Sequence, residues 1–495
     1  MLLLGYDLGS SSIKAALVDS EINKVVAVAQ YPDLEMPVLS KKSGWAEQSP
    51  QLWWECTKNV TAKLLALQKI DLNRIGAIGI AYQMHGLVLV DKKFSTLRDA
   101  IIWCDSRALP IGQAEFDKIG HSKCFSHLLN SPGNFTVSKL KWVKDNEPKI
   151  YDKIFKALLP GDFLSLKMTG KCLTTISGLS EAILWDFKEK QRADFLLNHF
   201  GIANQLIPEH TTSVGFHGEL TKEASDWLGL RPGIPVTYKA GDQPNNAGSL
   251  NGLEPGEIVA SGGTSGVVYG IVEKPIFDKR QRVNSFAHIN YTNEKPRIGV
   301  LLCINGAGIQ YRWVRDLLAS GHAYNEIENI AATVSINSEG LQIFPFGNGI
   351  ERMLENKNVG SNIMNLNFNR HNKATIYRAT LEGLAFSFVY GIKILEEIGL
   401  KISAIKVDNS NLFQSEIFSN TIASCFGREI VVMDTSGAVG AARISGVATK
   451  AFSNIEEALR DIPIVKIYQP QKTDEYEAGY LLWENNLNKL LASHS

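Results

Sequence analysis

The amino-acid sequence predicts an α/β protein made of two lobes of similar architecture with a cleft between them. The main observation is a pattern that occurs twice: an apolar strand, a turn of glycine with serine or threonine, and a second apolar strand. The copies span residues 2–18 and 257–272, so that Gly9 corresponds to Gly263 about half the chain later. Such patterns indicate β-hairpins. A chain of 495 residues also exceeds one ordinary core and fits two domains of about 250 residues each.

The boundary between the lobes is expected near a glycine-containing stretch in the middle of the chain. Residues 240–248 follow a predicted strand, and the Pro-Gly turn at 254–256 leads into the second hairpin. We therefore expect an N-terminal lobe over residues 1–248 and a C-terminal lobe over residues 249–495.

The N-terminal lobe begins as a strand meander over about forty residues, because short apolar runs alternate with polar turns. Ser49 before Pro50 is typical of a helix start, and the apolar residues that follow recur at helical spacing. The sequence then predicts a helix at 51–68, strands at 75–81 and 87–90, a mainly helical section at about 109–200 and a strand at 234–238.

The C-terminal lobe alternates strands and helices after its hairpin. Its apolar runs are the length of strands, and its longer stretches have helical periodicity. The predicted strands are 299–304, 402–407 and 429–433, and the predicted helices are 376–398, 413–426 and 438–447.

The composition restricts the classes of partner. Lys plus Arg and Asp plus Glu both number 51, so no overall field attracts nucleic acid or an anionic membrane. The six cysteines are scattered without a C-x-x-C pair, which favours reduced thiols over zinc or redox sites. The three N-terminal leucines indicate a first strand rather than a signal peptide, and the apolar stretch 75–90 is too short to span a bilayer. We expect a soluble, cytoplasmic protein.

The two hairpin turns have the composition of a phosphate-binding site. Glycine lets the backbone approach a ligand and adopt left-handed dihedrals, and hydroxyl groups add adjustable donors. Such turns are common in hairpins that bind nothing, but two matched copies favour a shared ligand. Asp7, just before the first turn, could hold Mg²⁺ beside phosphates. The predicted phosphate-binding residues are Gly9, Ser10, Ser11, Ser12 and Lys14 in the first turn, and Gly263, Thr264 and Ser265 in the second.

Asp242 is the strongest candidate for a catalytic group. It ends a predicted strand, shortly before the second hairpin and at the expected lobe junction. A carboxylate there can take a proton from an attacking hydroxyl while the turns hold a phosphate. The alternative is that Asp242 only bonds the backbone of its own turn.

Two further segments are candidates for substrate contacts. Gln83, Met84 and His85 follow a predicted buried strand, and ligands bind at such strand ends in open α/β sheets. Trp103, Asp105 and Arg107 alternate along an extended segment and could share one face. A structural histidine and a neutralising Asp–Arg pair are the respective alternatives.

Two glycine-containing segments of the C-terminal lobe are weaker candidates. Gly306 and Gly308 lie between a buried strand and a helix expected near Ile309, where a helix N-terminus could bind an anion or a ribose. A plain strand-to-helix turn is equally consistent with them. Residues 437–442 are small and indicate a close-packing helix start.

Taken together, these motifs resemble the FGGY family of carbohydrate kinases along essentially the whole chain. They include D-x-G-S-S-S-x-K at residues 7–14, G-W-A-E-Q at 44–48, Q-M-H-G at 83–86 and W-C-D-S-R at 103–107. They continue with S-K-L-K-W at 138–142, A-G-D-Q at 240–243 and G-G-T-S at 262–265. The resemblance implies two actin-like, ribonuclease-H-like lobes with ATP and a sugar in the cleft.

The resemblance also implies roles for the residues. Asp242 would be the general base, and Asp7 with Asp242 would place Mg²⁺. ATP would contact both hairpin turns, Gly306, Gly308 and Asn409. The sugar would contact Gln83, Met84, His85, Trp103, Asp105 and Gln243. The M-H-G tripeptide resembles the branch that phosphorylates D-xylulose at its 5-hydroxyl in pentose catabolism, whereas glycerol kinases carry an Arg-Glu pair there.

Three departures from the family pattern affect these expectations. Residues 407–411 replace a glycine-rich adenosine loop, the G-E-R element is loosened at 349–352, and Gln243 stands where relatives often have Asn. The alternatives are a kinase for another ketose or polyol such as ribulose, an actin- or Hsp70-like ATPase switch, and a sugar-binding regulator without catalysis. ATP and a small sugar are the expected partners, with neither nucleic acid nor membrane. The oligomeric state is open, a homodimer being one option.

Overall fold

A computed structural model describes residues 1–68, 70–410 and 412–493. The strands are β1 (Leu2–Leu8), β2 (Ile13–Asp19), β3 (Lys24–Tyr31), β4 (Glu47–Gln48), β5 (Ile75–Tyr82), β6 (Val88–Val90), β7 (Ala100–Ile101), β8 (Lys156–Leu158), β9 (Leu173–Thr175), β10 (Trp185–Asp186), β11 (Gln191–Arg192), β12 (Glu209–Thr211), β13 (Val214–Glu219), β14 (Pro235–Gly241), β15 (Glu257–Gly262), β16 (Gly266–Val272), β17 (Asn284–Ala287), β18 (Ile298–Ile304), β19 (Gln342–Phe346), β20 (Gly360–Met364), β21 (Ala404–Asp408), β22 (Ile430–Met433) and β23 (Ile464–Tyr468).

The helices are α1 (Pro50–Ala66), α2 (Leu109–Ile119), α3 (His121–Leu128), α4 (Thr136–Asn146), α5 (Pro148–Tyr151), α6 (Pro160–Thr169), α7 (Ile176–Glu181), α8 (Asp194–Phe200), α9 (Lys222–Leu228), α10 (Asp242–Ser249), α11 (Gly308–Leu318), α12 (Tyr324–Ala331), α13 (Lys373–Glu397), α14 (Glu416–Phe426), α15 (Gly437–Ala448), α16 (Ile455–Ala458) and α17 (Thr473–Ser493). Within the described ranges, no helix combines the length and the apolar character needed to cross a membrane.

Each half of the chain builds one large mixed sheet. The first sheet has the order β13-β14-β5-β1-β2-β3, and the second has the order β17-β18-β16-β15-β21-β22-β23. In both sheets an antiparallel hairpin (β1–β2 or β15–β16) continues through two parallel neighbours to an antiparallel edge strand. The two sheets therefore share one topology, with β17 added in the second. The predicted α/β fold of two similar lobes is confirmed.

Sequence signals at the element ends agree with the structure. Ser49 caps α1 by accepting a hydrogen bond from the Leu52 N–H, and Pro50 is the first helical residue. Helix α14 begins at Glu416, three residues later than its apolar pattern suggested, because the Ser415 side chain caps it there by accepting from the Phe418 N–H. The strand predicted at 87–90 is β6, which pairs with β8.

The two lobes are joined by elements that cross between them. Helix α15, from the second half of the chain, packs on strands β1 and β5 of the first sheet. Its small residues, Gly437 and Ala438 among them, are buried there, which confirms the predicted close-packing helix start. In the other direction, strand β17 contacts helix α7 of the first half. These contacts bring the ends of β1, β5 and β14 opposite the second sheet and form one cleft.

Candidate active site

A cavity of about 490 Å³ lies between the two lobes. The cavity is enclosed by the ends of strands β1, β5 and β14 on one side, and by the β15–β16 hairpin turn and strand β18 on the other. Its lining comprises Asp7, Gly9, Ser10, Ser11, Ser12, Lys14, Gln83, Met84, His85, Trp103, Asp242, Gln243, Ser265, Gly266, Val267, Leu301, Cys303 and Asn305. Most of the residues that the sequence singled out are therefore brought to one place.

Asp242 and Asp7 are the two carboxylates of this cavity. Asp242 is the first residue of α10, directly after β14, and its Oδ1 accepts a hydrogen bond from the Gln243 N–H at 2.9 Å. Burial, and then the negative charge of Asp7, raise the pKa of Asp242 to about 7. Asp242 therefore does bond the backbone of its own turn, as a purely structural role would require, but its carboxyl group also faces the cavity.

Asp7 lies close to the start of helix α15. A Cβ atom at Gly437 would stand 2.4 Å from Asp7 Oδ2, so glycine is needed there for the carboxylate to approach the helix. Burial raises the pKa of Asp7, and Lys14, its partner across the β1–β2 hairpin, opposes that rise. The negative charge of Asp7 acts on Asp242, and a cation between two neighbouring carboxylates would relieve that repulsion, which fits a Mg²⁺ site.

The described residues contain no group of three His, Cys, Asp or Glu side chains arranged to hold a metal. A Mg²⁺ ion here would therefore complete its shell with water and ligand oxygens, as this ion commonly does.

The first hairpin turn is fixed by hydrogen bonds to its carbonyl groups. The carbonyl oxygen of Ser10 accepts from Gln48 Nε2 at 2.6 Å, that of Ser11 from the Met36 N–H at 2.7 Å, and that of Ser12 from the Gly9 N–H at 3.1 Å. With these oxygens bound inside the lobe, the turn presents a fixed edge to the cavity.

The second hairpin turn rests on the start of helix α11. The carbonyl oxygens of Gly263 and Thr264 accept from the N–H groups of Gly308 and Ile309 at 3.1 and 3.0 Å. Gly9 and Gly263 both have negative φ angles, contrary to the left-handed dihedrals that their composition suggested. A Cβ at Gly263 would have its nearest neighbour at 3.9 Å. Gly263 is thus free of internal contacts that would exclude a side chain.

The N–H groups of Gly306 and Gly308 are bonded inside the protein, and the predicted nucleotide contact of these two residues stays a prediction. The N–H of Gly306 donates to Glu351 Oε1 at 2.9 Å, and the N–H of Gly308 donates to the second turn. A Cβ at Gly306 would stand 1.5 Å from the Pro345 carbonyl oxygen. Gly308 nevertheless lines a cavity of about 90 Å³ with Gly263 and Thr264, beside the rings of Tyr311 and Tyr324.

The Gln83–His85 segment presents two polar side chains at the end of β5. The Nε2 of Gln83 donates to Gln48 Oε1 at 3.3 Å. The Nδ1 of His85 lies 3.0 Å from the Glu181 carbonyl oxygen, so Nδ1 carries the proton and Nε2 is an acceptor. Burial lowers the pKa of His85 to about 3, which keeps the ring neutral.

Trp103, Asp105 and Arg107 do not share one face. Trp103 lines the cavity and is exposed, whereas Asp105 is fully buried and accepts from the Ala46 N–H at 2.6 Å and from Arg107. Arg107 also pairs with Glu47 at 2.8 Å. Asp105 lies behind the residues that line this cavity, and its carboxylate fixes the loop through these bonds. Its predicted substrate contact stays a prediction.

The segment around Asn409 packs beside the second turn. The Gly262 N–H donates to Ser410 Oγ at 3.0 Å, and the Asn409 carbonyl oxygen accepts from Gln414 Nε2 at 3.1 Å. The side chain of Asn409 has no role in these bonds, so its predicted nucleotide contact stays a prediction. Asn411, at the end of the same segment, lies outside the described residues.

One wall of the cavity was missed by sequence reasoning. Leu301, Cys303 and Asn305 lie at alternate positions along and just beyond β18 and line the cavity from the C-terminal lobe. Their two-residue spacing after an apolar run was the available signal. The side chain of Cys303 is exposed on this wall.

Comparisons with known proteins agree with this geometry. The N-terminal domain model of the FGGY family of carbohydrate kinases matches residues 2–247, and its C-terminal domain model matches residues 258–449. A xylulose kinase of Bacillus subtilis (strain 168) is 26% identical, with 98% of this chain and 96% of that protein covered.

Solved structures share the fold. The ligand-bound xylulose kinase of Lactobacillus acidophilus superposes with a TM-score of 0.90 at 22% identity, covering 100% of this chain and 99% of that one. A gluconate kinase of the same organism gives the same TM-score, identity and coverage. Since the two family models together account for most of the chain, the protein belongs to the FGGY family of carbohydrate kinases.

Proposed function

We propose that this kinase transfers the γ-phosphoryl group of ATP to the 5-hydroxyl of D-xylulose and so serves pentose catabolism. The observation that carries the proposal is the position of Asp242. Its carboxyl group faces a cavity flanked on one side by Met84 and His85 and on the other by the two hairpin turns. A base at that point lies between a sugar site and a phosphate site.

Asp242 would act on the attacking hydroxyl. The sugar oxygen forms a bond to the γ-phosphorus, its proton passes to the Asp242 carboxylate, and the bond from the γ-phosphorus to the bridging oxygen of ADP breaks. A base is most effective when its pKa lies near the working pH, and the pKa of Asp242 is raised to about 7.

The hairpin turns would bind the phosphates of ATP. Glycine and hydroxyl side chains at both turns let backbone and side-chain donors reach phosphate oxygens. Lys14 lines the same cavity and supplies positive charge. Asp7 and Asp242 would hold Mg²⁺, which would offset the charge of the phosphates and of the leaving ADP.

The sugar side of the cavity would recognise a ketopentose through hydrogen bonds from a few polar groups. The Nε2 of neutral His85 is a hydrogen-bond acceptor and therefore suits a sugar hydroxyl, while Gln83 and Gln243 offer amide groups. Met84 and the exposed ring of Trp103 supply apolar surface for the carbon skeleton.

The test is ADP release with Mg-ATP and a panel of acceptors: D-xylulose, D-ribulose, L-ribulose, L-xylulose, D-gluconate, glycerol and no sugar. We expect the highest kcat/KM with D-xylulose. A higher value with another acceptor would keep the kinase mechanism and overturn the substrate. Equal ATP turnover with and without every sugar would overturn the proposed function and favour an ATPase switch.

A further inference from the structure

The strongest feature that the proposed mechanism leaves unused is the buried ammonium group of Lys139. Lys139 lies on α4 within the S-K-L-K-W motif and is fully buried. Its Nζ donates to the carbonyl oxygen of His85 at 2.8 Å and to the carbonyl oxygen of Ile102 at 2.9 Å. One side chain thus ties together two segments that are 17 residues apart in the chain.

Each of the two carbonyl groups belongs to a segment that reaches the cavity. His85 lines the cavity itself, and Ile102 directly precedes Trp103, which lines it as well. Lys139 therefore binds the backbone of two segments that line the proposed sugar site, from the side that faces away from the cavity.

The backbone of the first segment needs such support. His85 has a φ of 62°, the left-handed region that residues other than glycine rarely adopt. Such conformations persist only where surrounding contacts hold them in place. The bonds from Lys139 to the carbonyl oxygen and from Nδ1 to the Glu181 carbonyl oxygen fix His85 from two sides.

Burying an ammonium group costs desolvation free energy unless its charge strengthens the hydrogen bonds that it donates. Asp105, the acid whose charge acts most strongly on Lys139, is bonded to Arg107 and to the Ala46 N–H. Hydrogen bonds to an ionised donor are about twice as strong as neutral ones. An apolar residue of similar length would fill the same space without the desolvation penalty, so the ammonium points to a function at the two carbonyl groups.

We propose that Lys139 is a positioning residue for sugar binding, which holds the His85 and Trp103 segments at the spacing that the sugar requires. The inference rests on the proposed function of the cavity as a sugar site. It assigns Lys139 no contact with the sugar and none with ATP, because both of its bonds go to the protein backbone.

The charge of Lys139 also varies near neutral pH. Burial lowers the pKa of Lys139 to about 7, and the groups that face it are Asp105, Cys104, Arg107 and Glu181. Lys139 is therefore charged below pH 7 and loses its charge above it. The ties to both segments should weaken as the pH rises from about 6 to 8.5.

The first experiment compares Lys139→Met with Lys141→Met by steady-state kinetics on the best acceptor of the panel. Lys141 lies two residues along the same helix and pairs with Asp145. We expect Lys139→Met to raise the KM for sugar about tenfold or more, because two charge-assisted bonds are lost. The KM for ATP should change less than twofold, and Lys141→Met should match the wild type.

The variant Lys139→Arg separates charge from shape. It keeps its charge at every pH used, so we expect a lower KM for sugar than in Lys139→Met. The rise of that KM between pH 6 and 8.5 should be present in the wild type and absent in Lys139→Arg. An unchanged KM for sugar in Lys139→Met, or equal increases for sugar and ATP, would overturn the inference.

Hydrogen–deuterium exchange of the free protein tests the same contact without any substrate. In Lys139→Met we expect faster exchange at residues 84–87 and 102–104 than in Lys141→Met, with the second hairpin unchanged. Unchanged exchange in both segments would overturn the inference. Faster exchange in both segments, in a protein that phosphorylates no sugar, would support the structural role of Lys139. It would overturn only the proposed function.

Discussion

The imidazole of His85 and the ring of Phe286 lie 5.4 Å apart between centroids, one from each lobe. Phe286 is fully buried on β17, and the neighbouring Ala287 N–H donates to Ser180 Oγ of the N-terminal lobe at 2.7 Å. The C-terminal lobe therefore supports a side chain of the proposed sugar site, although that side chain belongs to the N-terminal lobe.

Replacing Phe286 by leucine should weaken sugar binding. The smaller side chain leaves space beside His85, so the ring loses one of the contacts that hold its orientation. We expect the KM for sugar to rise several-fold while the KM for ATP stays within twofold, as measured by steady-state kinetics. Phe277→Leu is the matched control, because Phe277 also stacks across the lobes, on Phe125 at 5.2 Å. Equal effects of both variants would contradict a specific role of Phe286.

Replacing Asp242 by asparagine should remove the base and keep the shape of the site. We expect kcat to fall by about 10²–10⁴, the usual contribution of a positioned general base. Sugar binding measured by calorimetry should persist, since the amide occupies the same volume. The control is Asp226→Asn on the exposed surface. Full activity in Asp242→Asn would show that its bond to the Gln243 N–H is the whole role of this side chain.

The sequence was sufficient for those parts of the site that depend on local patterns. The hairpin turns and the ends of β5 and β14 were predictable, because apolar runs followed by glycine and polar residues indicate strand ends. Parallel neighbouring strands then bring their ends to one edge of the sheet.

The contacts that the sequence did not reveal depend on partners distant in the chain. The N–H of Gly306 is taken by Glu351, 45 residues later, and the Asp105 carboxylate by the Ala46 N–H, 59 residues earlier. The tie from Lys139 to His85 spans 54 residues. A local sequence pattern does not indicate which buried polar groups will form hydrogen bonds with each other, because that pairing depends on how distant segments pack.

Gly263 and Gly306 should respond differently to alanine. A Cβ at Gly263 fits the free protein, whereas one at Gly306 would stand 1.5 Å from the Pro345 carbonyl oxygen. We expect Gly263→Ala to keep the unfolding midpoint and to raise the KM for ATP, because the methyl group would occupy the space for a phosphate. Gly306→Ala should lower stability by about 2 kcal/mol or more through overpacking. An unchanged KM for ATP in Gly263→Ala would argue against phosphate binding at the second turn.

Acid should destabilise the protein through His288. Its Nε2 donates to the Gly252 carbonyl oxygen at 2.9 Å, and its Nδ1 accepts from the Tyr269 hydroxyl at 3.1 Å. Burial lowers the pKa of His288 to about 4, below the usual 6.5. Between these values the unfolded chain binds more protons than the native protein, so stability falls as the pH falls.

The loss from His288 amounts to about 3 kcal/mol between pH 6.5 and 4, and its contribution becomes constant about one pH unit above 6.5. Urea unfolding midpoints across this range measure it. His288→Gln keeps one donor and one acceptor without titrating, so its midpoint should depend less steeply on pH than that of the wild type. His322→Gln, at an exposed histidine, should leave the slope unchanged. The same slope in all three proteins would mean that His288 does not stay neutral on folding.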